Sequence, residues 1–132
     1  MNKKYFHQWG EIKTSINNDK ERVAFFSERD IWIANLGENI GYEEDGKGDT
    51  YSRPILIIRT YGKNMCFVVP LSTTGKRGYF YHEFDGHTGK MSVVLLSQAR
   101  VIDGLRLRRK IGYASENDFK AIKKRLRNIL GI

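Results

Sequence analysis

Apolar positions change their spacing several times along this chain. Tyr5, Trp9, Ile12 and Ile16 recur every three or four residues, which stacks them on one side of a helix over residues 3–18. Asn17-Asn18-Asp19 ends it, because these side chains compete for backbone hydrogen bonds. From Asp30 to Leu36 β-branched and aromatic residues predict a strand. Residues 37–52 form a polar loop without apolar periodicity, long enough to suggest a functional segment. Pro54 to Ile58 and Met65 to Leu71 are continuous apolar runs, read as buried strands on either side of a turn at Tyr61-Gly62-Lys63-Asn64. Further strands are expected over Tyr79–Phe84, Ser92–Leu96, Arg100–Ile102 and Arg108–Tyr113, with a turn at Asp85-Gly86-His87-Thr88-Gly89. Ser115-Glu116-Asn117-Asp118 opens a helix whose stripe is Phe119, Ile122, Leu126, Ile129 and Leu130, and Gly131 supplies its stop. Many short strands and few helices predict a mainly β fold, a small twisted antiparallel barrel with a C-terminal helix and an extra N-terminal helix.

With 132 residues, 40% apolar and 29% charged, the chain suits one packed domain rather than a disordered segment. Cys66, the single cysteine, gives no internal disulfide, and no apolar run could span a bilayer; a cytoplasmic protein without membrane attachment is expected. Charge alters the picture more. Of a net charge of +8, nearly all lies in residues 100–132, where ten lysines and arginines face three acids. That asymmetry suggests a polyanionic partner, although a solvated helix face explains it as well.

Three local patterns invite a chemical reading. Gly41 to Gly48 nearly spells a phosphate-binding loop, but Gly48 stands where a Ser or Thr would hold magnesium and three acids fill the cradle, so it is rejected. His82 and His87 flank a turn without metal-site spacing, and no metal is expected. Arg53-Pro54 is more informative: proline pushes Arg53 toward extended geometry at a loop–strand junction, where its planar fork suits a phosphate. A surface ion pair with Glu43, Glu44 or Asp45 accounts for the same residue equally well. Cations interleaved with aromatics from Lys76 to Tyr81 fit a surface for unpaired bases, or an ordinary barrel strand.

Five ordered blocks together resemble the MazF/PemK toxin endoribonucleases of bacterial toxin–antitoxin systems. They are Arg29-Asp30-Ile31-Trp32; Gly41-Tyr42-Glu43-Glu44 leading to Arg53-Pro54-Ile55-Leu56-Ile57; Val69-Pro70-Leu71-Ser72-Thr73; Ser92 to Arg100 continuing to Gly112; and the capped last helix. The resemblance implies a toxin domain over residues 29–132, with residues 1–28 as a helical extension outside it. It also implies an SH3-like barrel of the CcdB/MazF/PemK type, a homodimer, and metal-independent, sequence-specific cleavage of single-stranded RNA without a cofactor. The family's catalytic arginine and threonine correspond to Arg53 and Ser72, with Thr73 next in line, and Glu43 matches an acidic position. Serine thus stands where threonine is usual, and Ser97 stands where the PemK branch has an aspartate.

On this reading Arg53 steadies the phosphorane, Ser72 and Thr73 donate hydrogen bonds, and Glu43 is the general base, with His82 a second candidate for proton transfer. Lys76, Arg77, Tyr81, His82, Gln98 and Arg100 are the expected RNA contacts. An acidic antitoxin is the expected neutralising partner. The alternative is a non-catalytic toxin or binding module on the same barrel, like the gyrase poison CcdB. That protein ends in Trp-Gly-Ile where this chain ends in Leu130-Gly131-Ile132.

Overall fold

The apolar runs near residues 55 and 68 are continuous because both faces of their strands are covered. The computed structural model describes residues 25–37, 52–73 and 77–132. Among these, seven strands follow in order: β1 (Asp30–Asn35), β2 (Ser52–Tyr61), β3 (Met65–Ser72), β4 (Tyr81–Asp85), β5 (Met91–Leu95), β6 (Arg100–Asp103) and β7 (Leu107–Tyr113). A single described α-helix, α1 (Glu116–Leu130), comes last. The helix expected over residues 3–18 and most of the polar loop lie outside the described residues.

All pairings are antiparallel, and the strands stand in the order β4-β5-β3-β2-β1-β7. Strand β3 changes partner along its length: Met65–Val68 pairs with β6, whereas Leu71 and Ser72 pair with β5. The sheet curls until its ends meet, where the Tyr113 N–H donates to the Gly86 carbonyl at 3.0 Å. This is the expected mainly β barrel with a C-terminal helix.

Two apolar clusters fill it. Leu56 and Ile58 point toward α1 and pack with Val69, Leu71, Phe119, Ile122 and Leu126. Ile55 and Ile57, on the other face of β2, pack with Trp32, Cys66, Val68, Ile102 and Leu107. Burial pushes the Cys66 thiol up to about 12, with Asp103 adding to the shift, so it behaves as a small core residue.

Polar clasps set the edges. Arg29 adopts a left-handed backbone (φ 77°), its N–H donates to the Ile57 carbonyl and its Nε to the Ala114 carbonyl, each at 2.9 Å. Asp30 accepts from the Ser27 N–H at 2.9 Å and Trp32 Nε1 at 3.3 Å, and pairs with Lys110 Nζ at 3.0 Å. Ser115 caps α1 by accepting the Asp118 N–H at 3.1 Å, and Gly131 ends it in the left-handed region (φ 75°).

Two expectations shift. The strand expected from Tyr79 starts at Tyr81, because Gly78 turns the chain (φ 131°) and its carbonyl accepts the Tyr81 N–H at 3.2 Å. Leu130 leaves the buried stripe of α1 and is 48% exposed, since the helix ends before that turn reaches the sheet. No helix among the described residues is long and apolar enough to cross a membrane.

Candidate active site

Strands β2 and β3 pair Ile55 with Pro70, Leu56 with Val69 and Ile57 with Val68. Continued by two residues, that register sets Arg53 opposite Ser72, on the face that also carries Ile55, Ile57 and Val68. The chain's two prolines lie close to this pair, Pro54 directly after Arg53 and Pro70 two residues before Ser72, and fix φ near both strand ends. Arg53 is 3% exposed and Ser72 6%. Arg53, expected at a loop–strand junction, lies near the start of β2 and inside, where β1 covers it through the Ala34–Arg53 pairing. Its Nε and Nη1 meet no hydrogen-bond acceptor among the described residues, although the side chain makes other contacts. A permanent positive charge held away from water acts on a nearby anion more strongly than one at the surface.

A cavity of about 170 Å³ opens beside Ser72 and is lined on the β2 side by Pro54 rather than by Arg53. Ile31, Leu71 and Ile111 form apolar walls, while Ser72, Thr73 and Thr88 contribute hydroxyls and Lys90 an ammonium. Two strand ends and the β4–β5 turn thus converge on one space. Apolar walls with a few directed polar groups are the usual make-up of a small-ligand site.

The PemK-like, MazF-like toxins of type II toxin-antitoxin systems match residues 27–130. The chain belongs to this toxin family. Solved structures similar to the toxin include MazF from Deinococcus radiodurans, 20% identical, covering 84% of this chain and 99% of that one with a TM-score of 0.67. Mycobacterium tuberculosis toxin MazF-mt6 is 23% identical and covers 79% of this chain and 98% of its own, with a TM-score of 0.61. An endoribonuclease from a mycobacterial species, solved in complex with its cognate antitoxin, is 14% identical over 82% of this chain and 97% of that one, with a TM-score of 0.64. At these identities the structural likeness establishes the fold. No curated protein sequence matches the toxin.

The toxin's other expected site residues are dispersed. Thr73 is exposed beside Ser72, and Arg77 is exposed at the start of the next described segment. Glu43 and Lys76 lie outside the described residues. Tyr81 is half-buried on β4. His82 sits in line with Val94 and Leu71, whose side chains belong to the cluster beneath α1, so it faces the helix rather than Arg53 and Ser72. Its Nδ1 accepts from Arg125 Nη1 at 3.2 Å, and burial, then Arg125, push its pKa down, with Asp118 opposing. Gln98 lies in a short 3-10 turn packed against α1. Arg100, opposite Val68, stands near Arg106, whose own pKa is lowered first by burial and then by Arg100.

Thr88 and Lys90 were not candidates in the sequence, where their segment reads only as a turn. They reach Ser72 because β5 pairs with β3, a long-range contact that no local spacing encodes. Arg106 donates to the Asn35 carbonyl at 3.2 Å and ties β1 to the turn before β7. Among the described residues no group of three His, Cys, Asp or Glu side chains could hold a metal ion.

Proposed function

We propose that this toxin is an endoribonuclease that cuts single-stranded RNA at short sequences, using the RNA's own 2′-hydroxyl as nucleophile and no metal ion. One observation carries the reading: the β2–β3 register sets a buried guanidinium opposite a hydroxyl at adjoining strand ends. The 2′-oxygen forms a bond to phosphorus as the bond to the 5′-oxygen breaks, which leaves a 2′,3′-cyclic phosphate and a 5′-hydroxyl. Negative charge grows on the non-bridging oxygens, where Arg53 stabilises it and Ser72 donates a hydrogen bond. Thr73 supplies a second hydroxyl. Glu43 takes the 2′-proton, and the departing 5′-oxygen takes up a proton from solvent to become the 5′-hydroxyl. Arg53 stays protonated throughout, so it serves as an electrostatic clamp and not as a base.

Family membership supports the reading, as does a structural relative that is an endoribonuclease in complex with its cognate antitoxin. The same support extends to an acidic antitoxin that competes with RNA for the basic surface, and to a homodimer as the working form. End-group mapping of fragments made in EDTA tests it: cyclic phosphate and 5′-hydroxyl ends are expected, and Arg53→Ala removes them. Fragments with 5′-phosphates that vanish in EDTA would overturn the mechanism. Inhibition of gyrase supercoiling without RNA cleavage would favour the non-catalytic toxin instead.

A further inference from the structure

Arg125 of α1 directs its guanidinium at the backbone of another element. Its Nη1 donates to the Tyr81 carbonyl at 2.6 Å and to His82 Nδ1 at 3.2 Å. Its Nη2 donates to the carbonyls of Tyr79 at 2.9 Å and Gly78 at 3.4 Å. We propose that Arg125 is a positioning residue for RNA binding: it holds the turn before β4 so that the exposed Tyr79 and Phe80 rings stack on unpaired bases. For its ligand, single-stranded RNA, this role rests on the ribonuclease reading above.

The turn has little freedom left. Gly78 takes a backbone (φ 131°) that side chains rarely adopt, and its carbonyl also accepts the Tyr81 N–H at 3.2 Å. The Phe80 carbonyl accepts the Leu96 N–H at 2.9 Å. Every carbonyl from Gly78 to Tyr81 therefore has a donor, and Arg125 serves all but that of Phe80. The planar fork of arginine suits several oxygens at once, as a lysine ammonium does not. With the backbone tied inward, the rings stand out: Tyr79 is 60% exposed and Phe80 47%. They meet edge to face, 5.2 Å between centroids and 74° between planes. Two aromatics held in a fixed arrangement at the surface lower the ordering cost of binding.

Place and charge name the ligand. The turn leads into β4, where His82 stands in line with Val94 and Leu71, so two strand spacings, roughly 10 Å, separate it from the residue before Ser72. Exposed Arg77 precedes the turn, and exposed Lys124 and Arg127 lie close to Arg125 on α1. Cations around outward-facing rings match a chain of phosphates that carries unpaired bases. An acidic peptide would meet the cations but give the rings no planar partner.

The test uses the full chain and short 2′-O-methyl RNA oligonucleotides, which bind but cannot be cut, with the fluorescent base 2-aminopurine at each position in turn. Stacking on Tyr79 or Phe80 quenches its emission at one position. Arg125→Gln is expected to weaken binding about tenfold, the weight of one base on an aromatic ring, and to remove that quenching. Arg125→Lys keeps the charge but not the fork, and recovers little of the loss. The salt dependence of binding stays as in the wild type, because Arg125 neutralises no phosphate. A slope lower by about 0.7 would make it a phosphate contact and overturn the positioning role. Tyr79→Leu combined with Phe80→Leu also removes the quenching, and adding Arg125→Gln to that pair weakens binding no further. Additive losses, full rescue by lysine, or unchanged affinity and quenching in Arg125→Gln overturn the proposal. Unchanged quenching in the paired ring variant overturns it even where Arg125→Gln fails to fold. Loss of self-association in the ring variant, read by sedimentation, would assign the rings to a second copy of the chain and overturn it too. Binding and quenching without RNA cleavage by the wild type would overturn the catalytic reading alone. Cleavage by a wild type whose Arg125 variants bind RNA as it does would overturn the positioning role alone.

Discussion

Arg53 joins a permanent charge to almost complete burial, so its substitution separates electrostatics from mere attachment of RNA. Arg53→Ala is expected to slow single-turnover cleavage by roughly 100- to 1,000-fold, the usual weight of one preorganised donor at a developing anion. RNA affinity, measured alongside, changes far less. Ser72→Thr retains most activity because the hydroxyl survives, whereas Ser72→Ala falls by a similar factor; quenched-flow cleavage of a labelled RNA distinguishes them. His82 gives a stability signature instead. Burial and Arg125 hold its pKa below the ordinary 6.5, so the unfolded chain takes up a proton before the folded one as pH falls. Stability from this group is therefore complete above about pH 6.5 and declines as pH drops toward the lowered value. Thermal unfolding across that window is expected to decline less in His82→Asn than in the wild type. Arg53 was readable because it directly precedes one of only two prolines, a covalent mark that survives in one dimension, whereas Ser72 was legible only through the family resemblance. Thr88 and Lys90 carry no such mark, since their meaning arises from a pairing partner some twenty residues away.

At the level of strands and helices, the elements with a one-sided apolar pattern or a chemical boundary were the legible ones. The start of α1 follows from Ser115, whose removal in Ser115→Ala is expected to cost about 1 kcal/mol in urea unfolding, with Ser115→Thr largely restoring it. Its end follows from Gly131. The limits of β4 were not legible, because Tyr79 and Phe80 have strand-like side chains but occupy a turn. That turn is tied down by Arg125 from α1, which donates to the carbonyls of Tyr81 at 2.6 Å and Tyr79 at 2.9 Å. Tertiary contact overrides local preference there. Gly112 shows the reverse case, a small residue whose value appears only once two edges meet. Gly112→Ala forces the β4–β5 turn away from β7, at an expected loss of about 1–3 kcal/mol, visible as a lowered melting temperature.

For the molecule as a whole, the sequence foretold a barrel and a basic C-terminal quarter, but not how the barrel closes. Exposed Arg108 and Arg109 on β7 and exposed Lys120, Lys124 and Arg127 on α1 bring that charge to the surface. Binding of single-stranded RNA should therefore weaken steeply with salt, by a slope of about 0.7 for each phosphate neutralised. A titration repeated at several salt concentrations checks this, and a flat response would count against a backbone-tracking surface. Because β3 leaves β6 and joins β5 within a few residues, Ser72 is steered by the hairpin of β4 and β5, while Arg53 is steered by β1. The two groups proposed for catalysis thus ride on separate pieces of scaffold that meet along a seam. A small molecule wedged into that seam would pull them out of alignment and silence the toxin even with its nucleic-acid path left open.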